Sequence, residues 1–353
     1  MRNINRNLNT LAGSAIALAL TSLGFAQDLR APLSPQDPRA QLNVNSDEFK
    51  PLPTPQYADS TTRTAMVRLQ SIDLETGAER QTNYISANRP TFSAKLGRPY
   101  QGLATTPGRE PGFQSGNSND VNPLYVIGSD NRTKINATAS YPWSAQCKLF
   151  IRFPDGSNWI GSGTLVQSRF VVTAGHCVWD AGRGGWASQI QVVPGLNGNY
   201  QPFGSAYASR LASNTGWTSD KNRDHDHAVI KLDRTIGNST GWLGYGSFSD
   251  STINNAGLNL SAYDGDRDGG LSQLYRSGGA SSLSSKQMEY SMDTSGGSSG
   301  GGVYIFYNGG RYCMGVNAYE KWWWFFGTHY INGGTRLDST KVGWMNNWLN
   351  GGL

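Results

Sequence analysis

The chain has 353 residues, of which 37% are hydrophobic and only 16% charged, with 44 glycines, 11 Trp, 16 Tyr and 12 Phe. That is enough chain for a substantial core in one or two domains, and the composition excludes a coiled coil, a collagen and a disordered chain. The net charge of +5 is spread evenly, with 12 basic against 10 acidic residues before Val126 and 18 against 15 from there on, so no basic stripe marks a nucleic-acid partner.

Arg2 and Arg6 precede an apolar stretch from Leu11 to Leu23, and Gly24-Phe25-Ala26 supplies the small residues of a cleavage site. This is the pattern of an export signal over residues 1–26. The stretch is too short, and with Gly13, Ser14, Thr21 and Ser22 too polar, for a membrane span, and no later run reaches about 18 apolar residues. The expected product is secreted or periplasmic, with no membrane contact after signal removal. There Cys147, Cys177 and Cys313 could form at most one internal bridge, and the spacing does not say which.

The next segment carries Pro32, Pro35, Pro38, Pro51, Pro53 and Pro55, a spacing that keeps the backbone extended and predicts a linker or arm. Residues 65–87 alternate as a small β unit, with Val67, Leu69, Ile72 and Leu74 before a turn at Thr76-Gly77. From Thr105 to Pro123 the chain is Gly, Pro, Ser and Asn, the composition of an exposed connector and a domain boundary. The expected organisation is a signal over 1–26, a separate segment over 27–125 and a main domain over 126–353.

Beyond the boundary short β-branched and aromatic runs follow one another, Ala145 to Phe153, Trp159 to Val166 and Phe170 to Ala174, with the turn Pro154-Asp155-Gly156 between the first two. This predicts an all-β, antiparallel barrel or sandwich. Helical periodicity appears only at the end, where Val342, Met345, Trp348 and Leu349 predict one closing helix.

Four histidines, at 176, 225, 227 and 329, are the whole supply of imidazole. His176 lies in T-A-G-H-C (173–177), directly after an apolar strand, where a rigid scaffold can aim it. Asp226 opens D-H-A-V-I-K-L (226–232) and can be held against an imidazole. In G-G-S-S-G-G-G-V-Y (296–304) the glycines permit a tight turn that exposes a hydroxyl and points N–H groups at one spot, a geometry that serves an oxyanion. A flexible loop is the plain alternative, but strand-like Met288 to Met292 and Val303 to Tyr307 enclose the run. His225 and His227 share one strand face as zinc ligands would, and Asp264 to Gly269 mimics the start of a calcium loop. Neither pattern has its remaining ligands, and no metal is expected.

His176, Asp226 and Ser299 stand in the order His, Asp, Ser at intervals of 50 and 73 residues. With this order the sequence resembles the trypsin-like (chymotrypsin-fold) serine peptidases, and among them the secreted bacterial glutamyl endopeptidases of the V8 and Bacillus type. The resemblance covers about residues 126–353. It is carried by V-I-G-S-D-N-R-T (126–133), Y-P-W-S-A (141–145), T-A-G-H-C, Y-D-G-D (263–266), D-T-S-G-G-S-S-G (293–300) and G-T-R (334–336). It implies two antiparallel six-stranded β-barrels with a C-terminal helix, Ser299 as nucleophile, His176 as general base, Asp226 as its orienting acid, and the N–H groups of Gly297 and Ser299 as oxyanion hole. It implies a propeptide over 27–125 and a serine peptidase domain over 126–353, protein or peptide substrates, an activating protease, no cofactor and a monomer. Ser298 is the rival nucleophile and Asp224 the rival acid.

For specificity, the resemblance implies an acidic residue before the scissile bond. Thr294, Asn317 and the new α-amino group at Val126 fall on the positions that line the pocket. Asn317 stands where the family has a His, and His329, Lys321 and Arg336 are the cations within reach in sequence. Asp293, six residues before Ser299, suggests the alternative of a basic preference. The aromatic run Trp322 to Phe326 is read as packing or a cleft wall. An inactive homologue that binds rather than cleaves is the alternative from another class.

Overall fold

In this computed structural model the described residues are 32–53, 55, 57, 67–83, 93–95, 97, 126–324 and 328–352. The expected export signal and connector at 105–123, with Phe325-Phe326, lie outside them, as do the side chains of Trp322 to Trp324 and His329.

Alternating apolar residues build the first barrel from β1 (Gln146–Arg152), β2 (Asn158–Gln167), β3 (Phe170–Thr173), β4 (Gln189–Pro194), β5 (Ala206–Asn214) and β6 (Ala228–Leu232). The ladder runs β4-β1-β2-β3-β6-β5 and closes by pairing β5 with β4. Cys147, Leu149 and Ile151 of β1 point inward with Leu165, Val171, Ile190, Leu211 and Ile230, the period-2 pattern that fills a small barrel.

The second unit comprises β7 (Leu258–Ala262), β8 (Leu274–Gly278), β9 (Ala280–Leu283), β10 (Gln287–Tyr290), β11 (Gly302–Tyr307), β12 (Gly310–Trp324) and β13 (Thr328–Arg336), in the order β9-β10-β13-β12-β11-β7-β8. The all-β, two-barrel expectation holds, the first barrel closed and the second a half-barrel. Among the described residues no ladder joins β8 to β10. The chain spans the gap at Gly278-Gly279, where it leaves its partner β7 and one residue later takes β10 as β9. Glycines at such a corner let one strand change partners.

The closing helix, Ser339–Asn347, is capped by Asp338, whose carboxylate accepts from the Lys341 N–H. Val342, Trp344, Met345, Trp348 and Leu349 bury against Leu69, Phe170 and Val229. No helix among the described residues is long and apolar enough to cross a membrane. All three cysteines are buried and unbridged, and burial pushes the Cys313 thiol up to about 12.

The proline-rich segment is a docked arm rather than a free linker. Ala40, Phe49 and Leu52 are buried, Phe49 standing edge-on to Phe150 at 5.2 Å. Lys50–Pro51 adds to β2 in parallel, and the hairpin Arg68–Asp73/Glu79–Asn83 extends the barrel sheet at β5. Its turn falls at Gly77, with a left-handed φ of 70°. Apolar burial supplies the reason: each large side chain taken out of water contributes roughly 1.5–3 kcal/mol, enough to hold an extended segment on a surface.

Candidate active site

His176 sits in a 3-10 turn, Gly175–Cys177, directly after β3, and Asp226 just before β6, so both hang from paired strands of the first barrel. The Asp226 carboxylate grips His176 twice, accepting the His176 N–H on Oδ1 at 3.0 Å and meeting Nδ1 with Oδ2 at 2.9 Å. A carboxylate only accepts, so Nδ1 carries the proton and the neutral ring leaves Nε2 as its basic atom. Nε2 is buried and has no partner among the described residues. Burial disfavours the imidazolium, yet Asp226 outweighs it and, with Cys177, holds the His176 pKa well above its ordinary value. A Cβ on Gly175 would lie 2.7 Å from the Trp217 ring and 3.0 Å from Asp226 Oδ1, so glycine lets both approach the turn.

Asp224, the rival acid, faces elsewhere: its carboxylate accepts from Gln287 Nε2 at 3.0 Å. Ser298, the rival nucleophile, has its hydroxyl committed, donating to the Ser295 carbonyl at 2.6 Å and accepting from Asn317 Nδ2 at 3.1 Å.

Ser299 comes from the loop between β10 and β11 of the second unit. Its carbonyl accepts from the Ser162 N–H of β2 at 2.8 Å and from Cys177 Sγ at 3.6 Å, which ties the loop to the barrel strand and to the residue after His176. Ser162 Oγ also bridges the units, donating to Gly297 O at 2.8 Å and accepting from the Tyr263 N–H at 3.0 Å. Among the described residues no hydrogen bond joins the Ser299 hydroxyl to Nε2. Gly297 has a left-handed φ of 101°, and a Cβ there would lie 2.7 Å from Tyr263 O. Among the described residues neither the Gly297 nor the Ser299 N–H has an acceptor, so both donors stay available.

Leu52, Pro53, Thr294, Ser299, Asn317 and Glu320 are among the residues lining a cleft of about 210 Å³. Ser298 has spent its one proton on Ser295, so Asn317 must present Nδ2 to it and Oδ1 to the Tyr290 hydroxyl at 2.7 Å. Asp293 does not line this cleft. Its carboxylate accepts the Ile127 and Asn131 N–H groups, both at 2.7 Å, and burial still raises its pKa. Val126, next to Ile127, therefore lies beside Asp293 and outside the cleft lining. Lys321 pairs with Glu289 and Arg336 with Asp250, and neither faces the cleft.

Sequence reasoning missed the clamp under the cleft loop. Arg276 holds Asp264 by two bonds, at 2.8 and 3.0 Å, and Arg132 holds Asp266 by two, at 2.8 and 2.7 Å. Asp264 in turn accepts the Ser295 N–H at 2.9 Å. The acidic run read as a calcium-loop mimic is thus matched by arginines. His225 and His227 stack on Trp344 at 5.9 and 5.6 Å, and among the described residues no group of three or more His, Cys, Asp or Glu is placed to hold a metal ion.

The family model described as Trypsin matches residues 130–321. The chain belongs to the trypsin family of serine peptidases. This endopeptidase is 34% identical over 228 residues to a glutamyl endopeptidase of Bacillus licheniformis, covering 64% of this chain and 69% of that one. It is 31% identical over 268 residues to a protein of Bacillus subtilis named an extracellular metalloprotease, covering 74% and 83%. A solved Glu endopeptidase superposes with a TM-score of 0.52 at 30% identity, covering 63% of the peptidase chain and 97% of its own.

Proposed function

We propose that this trypsin-family peptidase is exported and cleaves peptide bonds through Ser299, His176 and Asp226, with a preference for an acidic residue before the scissile bond. The observation that carries the catalytic reading is the double grip of Asp226 on His176, which leaves Nε2 unprotonated and unpartnered in the neutral ring. The Ser299 hydroxyl attacks the scissile carbonyl and its proton passes to Nε2. The oxyanion forms toward the Gly297 and Ser299 N–H groups, and the amine leaves with the proton from Nε2. Water then attacks the acyl-enzyme by the same path in reverse.

The acidic preference is supported by the Bacillus licheniformis relative's name and by the neutral donors of the cleft, the Thr294 hydroxyl and the second N–H of Asn317 Nδ2. Among the described residues no Lys or Arg lines the cleft and Glu320 does, so discrimination by hydrogen bonds is expected to be moderate. Asp293, spent on two backbone N–H groups, offers nothing to a basic residue.

A peptide library varied at the residue before the scissile bond, with Ser299→Ala as control, tests activity and preference together. Cleavage after Glu and Asp by the parent alone supports the reading. Cleavage after Gln as fast as after Glu would mean that the cleft reads hydrogen bonds rather than charge. Cleavage after Lys, or no cleavage together with no fluorophosphonate adduct on Ser299, would sink it.

A further inference from the structure

The arm crosses the candidate site. Pro51 lies against the loop that carries Ser299: a Cβ on Gly296 would come within 2.8 Å of Pro51 Cβ, and one on Gly265 within 2.3 Å of its Cγ. The Leu52 N–H donates to Ile160 O at 3.4 Å, and Leu52 and Pro53 line the cleft with Ser299. Four residues beyond Pro53, the Tyr57 hydroxyl reaches Asp226 Oδ2 at 2.8 Å and Ala318 O at 3.2 Å. Its ring stands edge-on to Trp217 at 5.9 Å and to Tyr319 at 6.2 Å, and Trp217 is itself edge-on to His176 at 6.2 Å.

The walls of this cradle come from the turn Thr215–Thr218, from β12 and from Asp226, two residues before β6, whereas its occupant comes from outside both barrels. Aromatic walls select a ring, and two oxygen acceptors at the base select a ring with a hydroxyl. Position 318 is an alanine, so its only polar contribution there is the backbone carbonyl.

We propose that Trp217, Tyr319, the Asp226 carboxylate and the Ala318 carbonyl form a subsite for a phenolic side chain beside His176, and that Tyr57 fills it in the uncleaved chain, closing the cleft. The proposal deepens the peptidase reading above and rests on it. An aromatic residue near the scissile bond of a peptide substrate takes the same place once the arm is gone. The opposite role, Tyr57 as a positioning residue that helps catalysis through Asp226, predicts the opposite sign.

The test uses the full chain and two readouts. In a Ser299→Ala background, where no chemistry intervenes, Tyr57→Ala is expected to speed amide hydrogen exchange at Leu52 by about tenfold or more, the loss of one hydrogen bond to a charged group. Unchanged exchange would overturn the docking. With Ser299 present, Tyr57→Ala is expected to react with a fluorophosphonate about tenfold faster than the parent, and Tyr57→Phe to fall between them. N-acetyl-tyrosinamide should slow the Tyr57→Ala reaction and leave the parent unchanged, with the leucine analogue inert toward both. Slower reaction of Tyr57→Ala would make Tyr57 a positioning residue and overturn the proposal. Faster exchange with no labelling of any form would leave the docking standing and sink the reading of Ser299 instead.

Discussion

The Tyr290 hydroxyl donates to Asn317 Oδ1 at 2.7 Å, and this single contact turns the Asn317 amide toward Ser298 and the cleft. A histidine at 317, protonated on both nitrogens, could donate one N–H to the Tyr290 oxygen and the other to substrate, adding a charge that the amide lacks. Asn317→His is therefore expected to raise the ratio of kcat/KM for Glu over Gln peptides about tenfold, the difference between a neutral and a charge-assisted hydrogen bond. Competition between two peptides that differ only at that residue measures it, and an unchanged ratio would mean that Asn317 does not read the substrate.

Asp226→Asn removes the charge that favours the His176 imidazolium. Because the raised pKa favours protonation in the folded state, its stabilisation is full below about pH 6.5 and fades as pH rises through the raised value. Activity needs the neutral ring, so the parent's acid limb in kcat/KM lies above pH 6.5. In the variant burial loses its main opponent and the limb moves to lower pH, while kcat falls by about ten-thousandfold. A pH profile of both forms checks shift and loss together.

His227 lies stacked on Trp344 at an interplanar angle of 15°, with no hydrogen-bond partner on either nitrogen among the described residues. Burial lowers the pKa of both neighbours, that of His225 to about 4, with Lys341 adding to the effect. A lowered folded value means that the unfolded chain binds more protons below pH 6.5. Stability is then lost as pH falls, at roughly 1.4 kcal/mol per pH unit for each histidine. His227→Phe keeps the stacking and is expected to remove about half of the fall in the urea midpoint between pH 6 and about 4, His225 keeping the rest.

Asp264 is fully buried between Arg276 and Arg132 and accepts the Ser295 N–H. Asp264→Asn leaves buried guanidinium charge uncompensated, and a loss of about 3–5 kcal/mol is expected in chemical denaturation. KM should rise more than kcat falls, because the cleft loop loses an anchor while the His176–Asp226 contact is untouched. The double variant Asp264→Leu with Arg276→Met should recover most of the stability, since it leaves Arg276 no charge to strand.

The sequence by itself determined the all-β class, the closing helix and the candidates His176, Asp226 and Ser299. Each of these needs a local backbone shape, a strand end or a glycine turn, and such shapes leave a signature within a few residues. It also determined the hairpin turn at Gly77, where one residue must take a left-handed φ. Only the tertiary structure decided the partners. Tyr57 meets Asp226 across 169 residues and Arg132 meets Asp266 across 134, separations over which no local pattern carries information. The same holds for His225 and His227, which share a face as zinc ligands would but are claimed by Trp344 of the last helix. It holds for the arm, whose prolines predict extension but not the barrel groove that buries Phe49. Side-chain partners are chosen by close packing between elements that meet only after the chain has folded, so composition and spacing name the chemistry available and packing decides which groups touch.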